Sequence, residues 1–171
     1  MNQKKKKPNK FISCVDKDGK YHKIARTKLV FRPSVYGVII KNGKILLSKQ
    51  FDGYDLPGGG IDLGETIDNA FKRELKEETG LTAERGKLIS CENSFFLGKY
   101  SKEPWQGILI YNLGKNVRGT ISDKFLDSEE LKYAGKAEWI DLKEINRIKF
   151  FSSGDVRKII KEALKMRKNG A

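Results

Sequence analysis

Three glutamates, Glu74, Glu77 and Glu78, lie close together in a segment whose other residues follow the pattern of an amphipathic helix. On a helix over residues 66–79, which advances about 100° per residue, the three carboxylates share one side with apolar residues such as Phe71. Buried like charges repel one another and lose hydration, and both costs fall when a divalent cation binds between them. Because carboxylate oxygens are hard ligands, the pattern predicts a Mg²⁺ site, with Mn²⁺ as a substitute.

The residues that flank the glutamates support this interpretation. Thr66 is predicted to cap the start of the helix, and Gly80 suits the left-handed position that follows its end. Arg73 lies one turn before Glu77, so we expect its guanidinium to fix that carboxylate without entering the metal site. The glycine-rich run at 56–60 can bring a backbone carbonyl to a metal ion or accept a diphosphate against the backbone.

From Gly59 to Leu81 the sequence reads G-x5-E-x7-R-E-L-x-E-E-x-G-L. This pattern resembles the signature box of the Nudix hydrolases at every fixed position, over all 23 residues of the box. The resemblance implies an α/β fold, an α/β/α sandwich with a mixed central β-sheet. It also implies metal-dependent hydrolysis of a nucleoside diphosphate linked to another group.

The resemblance assigns roles to individual residues of the box and to the residue before it. Glu74 and Glu78 are implied as metal ligands, and Glu77 as a ligand or as the base that activates water. The carbonyl of Gly58 is implied as a further ligand, and Glu65 as a residue that supports the site.

The general base has more than one candidate. Glu77 is the first choice, because Arg73 can hold its carboxylate in place and catalytic proton transfer needs a positioned base. Glu129 and Glu130, in a later acidic loop, are alternatives.

Substrate phosphates require cations near the glutamates, and a base or sugar requires an aromatic surface. Arg32, expected just before a strand that starts at Ser34, and Lys49, at the end of the strand that leads to the glycine-rich run, are the cation candidates. Tyr54 and Trp105 are the aromatic candidates, because both are expected in loops rather than inside strands.

The periodicity of the remaining sequence predicts the elements that hold these residues. A hairpin is expected around the turn at 16–19 and another around Asn42-Gly43. Strands are predicted at 34–40, 45–49, 87–96, 106–113, 117–122 and 136–140, a helical turn at 142–148, and helices at 66–79 and 155–167. Interleaved strands and helices of this kind favour a mixed sheet between helices.

The length of 171 residues is typical of one domain, and the net charge of +13 is concentrated at the ends. Residues 1–10 contain five lysines and no acid, and residues 155–171 contain six basic and two acidic residues. We expect 1–10 to be a basic, disordered tail and 11–171 to be a single Nudix domain. The basic ends make RNA a candidate partner, although a solvated tail and helix surface explain the charge more simply.

Other classes of function find little support. His22 is the only histidine, so a Ser-His-Asp or Cys-His mechanism would depend on it alone. Cys14 and Cys91 match no metal-binding spacing and no disulfide framework, and we expect both to be reduced and structural. No apolar run approaches the length of a membrane span, so we expect a cytoplasmic protein without membrane association.

We therefore expect a magnesium-dependent Nudix pyrophosphohydrolase that acts on a small nucleotide. Its substrate stays open among nucleoside triphosphates, nucleotide sugars such as ADP-ribose, dinucleoside polyphosphates and the 5′ end of RNA, and the oligomeric state is not indicated. The alternative is a Nudix-fold nucleotide sensor or RNA-binding module without turnover. The intact set of glutamates favours the hydrolase, because a pure binder has no chemical need for three mutually repelling carboxylates.

Overall fold

The computed structural model describes residues 10–98, 102–126, 128 and 130–168. Most of the basic tail predicted at 1–10 lies outside these residues. The strands are β1 (Phe11–Val15), β2 (Tyr21–Ala25), β3 (Val30–Val38), β4 (Ile40–Lys41), β5 (Lys44–Gln50), β6 (Gly53–Asp55), β7 (Gly58–Gly60), β8 (Thr82–Leu97), β9 (Pro104–Arg118) and β10 (Ala134–Asp141). The helices are α1 (Ile67–Thr79) and α2 (Val156–Lys168), with 3₁₀ turns at Arg26–Lys28, Glu130–Lys132 and Leu142–Arg147.

The strands form two sheets. The larger sheet has six strands in the order β2-β1-β8-β9-β3-β7 and is mixed, because β1 pairs with β8 and β3 pairs with β9 in parallel. The smaller sheet is antiparallel, with the order β10-β5-β4 and with β6 paired to the other end of β5. The predicted α/β class with a mixed sheet is confirmed.

Strands β3 and β5 separate two hydrophobic cores, because successive residues of a strand point to opposite faces. The core against α1 contains Val35, Ile39, Leu46, Ala70, Phe71 and Leu75. The core against α2 contains Val38, Ile45, Leu47, Leu56, Ile159 and Ile160. Helices α1 and α2 therefore cover opposite faces of β3 and β5. Adjacent residues of these strands, such as Ile45 and Leu46, belong to different cores.

Most predicted elements are present, with two corrections. The strand predicted at 117–122 is wrong, because β9 runs without interruption to Arg118, where it pairs with Thr82 of β8. A register shift between Thr82 and Glu84 lies at this end of the long β8–β9 ribbon. The second correction concerns the cysteines: both are free, but Cys91 is exposed and only Cys14 belongs to the core.

Within the described residues, no helix is both long and apolar enough to cross a membrane.

Candidate active site

Helix α1 begins and ends where the sequence predicted, and it places the three glutamates on one side. The Thr66 hydroxyl accepts a hydrogen bond from the Asn69 N–H at 3.2 Å, and Gly80 adopts a left-handed φ of 74°, so both predicted ends are confirmed. Glu74 and Glu78 are buried at 9% and 8% exposure. Glu77 lies at the edge of the same side, with a side chain that is 37% exposed.

Glu78 is held by groups from two strands. The Ser48 hydroxyl of β5 donates to Glu78 Oε2 at 2.8 Å, and the Gly58 N–H of β7 donates to the same oxygen at 2.9 Å. Burial, and then the charge of Glu74, raises the pKa of Glu78 well above its usual value. The fold therefore imposes a free-energy cost on this negative charge.

Glu74 lies against the glycine-rich segment. Burial raises the pKa of Glu74 to about 7, although the neighbouring Arg73 acts in the opposite direction. A Cβ atom at Gly59 would lie 2.7 Å from Glu74 Oε1, so the backbone of β7 passes directly over the carboxylate. A side chain at this position would require the Glu74 carboxylate to move.

Gly59→Ala should therefore lower the free energy of unfolding by about 1–3 kcal/mol, because the added methyl group must displace a buried carboxylate. Urea unfolding measures the change. Gly135→Ala is the matched control, since its Cβ atom would meet only the flexible Lys49 side chain, at 3.4 Å. Equal effects of the two substitutions would show that Gly59 has no special packing requirement.

Arg73 connects the carboxylates with the glycine-rich segment. Its Nε and Nη2 donate to the two oxygens of Glu65 at 3.0 and 2.8 Å, and Nη2 also donates to the Gly60 carbonyl at 2.9 Å. Its Nη1 donates to Glu74 at 3.0 Å and to Glu77 at 3.1 Å. These bonds lower the pKa of Glu65 and raise the pKa of Arg73. Arg73 therefore holds the predicted ligand Glu74 as well as Glu77, and its place outside the metal site stays a prediction.

The carboxylates fit a hard divalent cation by their chemistry. In the part of the chain that the structure describes, no three acidic, histidine or cysteine side chains converge as a complete metal cage. However, Glu74 and Glu78 are both buried with raised pKa values, and the charge of Glu74 adds to the cost of ionising Glu78. A cation beside Gly58 would offset that cost, and the metal-binding roles of Gly58, Glu74, Glu77 and Glu78 stay predictions.

A cleft with a volume of about 490 Å³ opens beside the carboxylates. Its lining includes the backbone of Gly58 and Gly59 and residues from the β5–β6 hairpin, β8, β9 and the segment before α2. This volume lies in the range of small-molecule sites, which is roughly 300–1,000 Å³.

Arg32 and Trp105 both line this cleft, but not as the sequence suggested. Arg32 lies inside β3 and Trp105 inside β9, and the parallel register of these strands makes them neighbours. The Arg32 guanidinium carbon is 4.5 Å from the centre of the Trp105 ring. Arg32 is also close to Gly60, and its positive charge offsets a small part of the rise that burial causes in the pKa of Glu74. Trp105 therefore packs against a cation that lies next to the carboxylates.

Comparison with known proteins identifies the family of the chain. The NUDIX domain model matches residues 30–161, which is most of the chain. The chain belongs to the NUDIX domain family. The predicted membership of the Nudix hydrolases, and with it the prediction of an enzyme, is confirmed.

Individual relatives extend the comparison. The chain is 33% identical over 154 residues to an ADP-ribose pyrophosphatase of Methanocaldococcus jannaschii, a match that covers 86% of this chain and 82% of the relative. It is 30% identical over 146 residues to an RNA pyrophosphohydrolase of Pelagibacter ubique, covering 74% of this chain and 89% of the relative. A solved NUDIX hydrolase of Nitrosomonas europaea superposes with a TM-score of 0.60 at 20% identity, over 80% of this chain and 90% of that one. This last similarity shows the fold.

Two predicted substrate contacts of the Nudix domain lie away from the cleft lining. Lys49 forms an ion pair with Glu138 of β10 at 3.7 Å, and Tyr54, its partner across β5–β6, packs on the α2 core. Ser48 and Gln50, the neighbours of Lys49 in β5, point to the opposite face, toward Glu78 and the cleft. The prediction that Lys49 and Tyr54 lie in the cleft is therefore wrong, because their side chains point to the other face of the sheet. The prediction that Tyr54 lies in a loop is also wrong, because it belongs to β6.

Asp55 is a cleft residue that the sequence analysis missed. It is only 8% exposed, lines the cleft and accepts a hydrogen bond from the Leu56 N–H at 2.7 Å. Burial raises the pKa of Asp55 to about 7. The one sequence feature that could have indicated a role for Asp55 is its position just before the glycine-rich run at 56–60.

Two residues outside α1 are the alternative candidates for the base. Glu129 lies outside the described residues, and Glu130 begins a 3₁₀ turn at Glu130–Lys132. Glu77, the most exposed of the three helix glutamates, keeps its contact with Arg73.

Proposed function

We propose that this Nudix domain is a magnesium-dependent cytoplasmic pyrophosphohydrolase, with a nucleotide sugar such as ADP-ribose as the first candidate substrate. The observation that supports this most strongly is the pair of buried carboxylates, Glu74 and Glu78, beside the Gly58–Gly60 backbone at a cleft that also contains Arg32. Such a site combines charge that requires a cation with a surface on which a diphosphate can lie.

The chain's own residues account for binding and proton transfer. Arg32 can donate two hydrogen bonds to phosphate oxygens, and the glycine backbone leaves room for the diphosphate. Glu77, oriented by Arg73, takes the proton of the attacking water. The oxygen of that water forms a bond to one phosphorus while the bridging oxygen leaves with the other, which yields two phosphate monoesters. Bound Mg²⁺ would neutralise negative charge on the diphosphate.

We propose that residues 11–171 act as one unit, including the hairpin β1–β2 that precedes the matched region. Strand β1 pairs with β8 at Val15 and Phe96, next to the ring of Trp105, and Cys14 is fully buried. Lys17, from the turn of the hairpin, lines the cleft.

The nucleotide-sugar assignment is supported by the ADP-ribose pyrophosphatase relative and by the size of the cleft. The 5′ end of RNA is a second candidate, supported by the RNA pyrophosphohydrolase relatives and by Lys158, Lys161 and Lys165, which are exposed on α2. If RNA is bound, its affinity should fall steeply with salt concentration, and a flat response would exclude this candidate.

A substrate panel with Mg²⁺ tests the proposal. It comprises ADP-ribose, nucleoside triphosphates, dinucleoside polyphosphates and 5′-triphosphorylated RNA, with Glu77→Gln as the inactive control. Rapid hydrolysis of one member, absent with the variant and with EDTA, would establish the enzyme and its substrate. Tight binding without hydrolysis across the panel would support the sensor or RNA-binding alternative instead.

Trp105→Ala should raise the KM for the preferred substrate by about 3- to 10-fold with little change in kcat, because Arg32 loses the ring against which it packs. Trp105→Phe, which retains a ring, should lie between the wild type and the alanine variant. Tyr21→Ala, at a position on β2 that is 72% exposed, is the control. A KM that Trp105→Ala leaves unchanged would show that Arg32 needs no such support.

A further inference from the structure

Three aromatic rings from separate segments meet at the cleft. Phe51 follows β5, Tyr133 precedes β10 and Phe151 precedes α2. The Phe51 ring lies 5.4 Å from the Tyr133 ring in a stacked arrangement and 5.2 Å from the Phe151 ring in an edge-on arrangement. All three residues line the cleft, where they form a group that we term the aromatic cluster.

Backbone contacts fix the aromatic cluster in place. The Phe51 N–H donates to the Tyr133 carbonyl at 2.6 Å, and the Phe151 N–H donates to the Tyr54 carbonyl at 3.1 Å. Phe51 has a left-handed φ of 52°, which is unusual for a bulky residue. Strained residues of this kind persist where the surrounding structure holds them, and they concentrate at ligand sites.

Asp55 supplies a polar group to the same cleft, where its charge also raises the pKa of Glu78. It belongs to the same β5–β6 hairpin as Phe51, and its strand begins at Gly53, where a Cβ atom would lie 2.9 Å from the Phe151 ring. It is 8% exposed and lines the same cleft, with one hydrogen bond in the described structure, from Leu56. A buried carboxylate with so few partners can still accept hydrogen bonds from a ligand.

Trp105 is less suited to stack on a base. The Arg32 guanidinium lies 4.5 Å from its ring centre and the Phe96 ring lies 6.2 Å away, so two neighbours already pack against the indole. That part of the cleft presents a cation, which suits phosphate. The rings of the aromatic cluster also have neighbours, because Phe51 contacts both other rings and Lys149 Nζ lies 4.7 Å from the centre of the Phe151 ring. All three rings line the cleft, and aromatic rings suit a nucleobase.

We propose that Phe51, Tyr133, Phe151 and Asp55 form a nucleobase subsite that selects bases with an exocyclic amino group. The rings pack on the face of the base, and the Asp55 carboxylate accepts a hydrogen bond from the amino group, as carboxylates do from cytosine in nucleic-acid complexes. Uracil presents a carbonyl oxygen at the corresponding position and cannot donate. This inference rests on the proposed function, because it assumes a nucleotide substrate.

ADP-glucose and UDP-glucose test the subsite, because they share the sugar and the diphosphate and differ only in the base. The wild type should favour ADP-glucose by about 10-fold or more in kcat/KM. Asp55→Asn, whose amide can also donate to a carbonyl oxygen, should bring this ratio close to unity. Asp68→Asn is the matched control: its exposed carboxylate pairs with Arg85 outside the cleft, and the ratio should stay at the wild-type value.

Calorimetric binding of both nucleotides in EDTA separates this inference from the proposed function. If neither compound is hydrolysed, the proposed enzyme has failed for nucleotide sugars, yet a binding preference for ADP-glucose that Asp55→Asn removes would still support the subsite. Equal binding of the two compounds by the wild type, or binding of neither, would overturn it. A uniform loss of kcat in Asp55→Asn with an unchanged ratio would also overturn it, since Asp55 would then act with the helix glutamates.

Discussion

Glu78→Gln is expected to lower kcat by about 10²–10³-fold while it makes the metal-free protein more stable at pH 8. The loss of activity follows from removing the most buried charge of the candidate metal site. The gain in stability follows from the cost of that charge, because burial and Glu74 raise the pKa of Glu78 well above its usual value. The glutamine oxygen can still accept hydrogen bonds from Ser48 and Gly58, so the substitution removes the charge and retains the contacts.

The raised pKa of Glu78 determines how the stability of the wild type changes with pH. A carboxyl group whose pKa is raised by folding holds a proton in the native state that the unfolded chain releases. The wild type therefore loses stability as pH rises from the usual pKa of glutamate, 4.5, toward the raised value in the folded protein. The advantage of Glu78→Gln should be absent near pH 4 and largest above neutral pH.

Urea unfolding in EDTA at pH 5 and pH 8 measures this difference. Glu84→Gln, at an exposed position of β8, is the matched control and should change neither activity nor the pH dependence. If Glu78→Gln destabilises the protein equally at both pH values, Glu78 is a structural acceptor for Ser48 and Gly58 rather than a charge kept for function.

Arg73→Lys should be the second most damaging substitution, with kcat/KM lowered by about 10²-fold and the free energy of unfolding lowered by about 1–3 kcal/mol. Lysine retains the positive charge. It loses the planar fork that bonds both oxygens of Glu65 and also reaches Glu74, Glu77 and the Gly60 carbonyl. Three carboxylates and the glycine-rich segment would lose their common partner, so the damage exceeds that of a single ion pair.

Arg85→Lys is the control for this substitution, because Arg85 pairs with the exposed Asp68 outside the cleft. It should be close to neutral in both assays. If Arg73→Lys retains wild-type kcat/KM, the hydrogen-bond geometry around Arg73 does not position the glutamates, and the assignment of Glu77 as an oriented base loses its support.

The sequence predicted the parts of the site that depend on local periodicity. The i, i+3, i+4 spacing of Glu74, Glu77 and Glu78 determined which side of α1 they share, and Thr66 and Gly80 marked its ends. The hairpin at Asn42-Gly43 was equally local, because both residues adopt positive φ angles, as that turn type requires.

The parts that were missed depend on pairing between distant segments. Trp105 contacts Arg32 because β3 and β9 run in parallel, a register that neither segment reveals alone. Lys49 was placed on the wrong face because a single step along a strand reverses the direction of the side chain. Asp55 gave no periodic signal, since its importance comes from burial by surrounding elements.

The most direct test of a metal-dependent pyrophosphohydrolase is hydrolysis of ADP-ribose in water enriched in the heavy oxygen isotope, with the products analysed by mass spectrometry. We expect one heavy oxygen per turnover in the phosphate of AMP or of ribose phosphate, and no turnover when EDTA replaces Mg²⁺. Label in a sugar hydroxyl, or hydrolysis that EDTA leaves unchanged, would contradict the account, because water would then attack carbon or the buried glutamates would act without a cation.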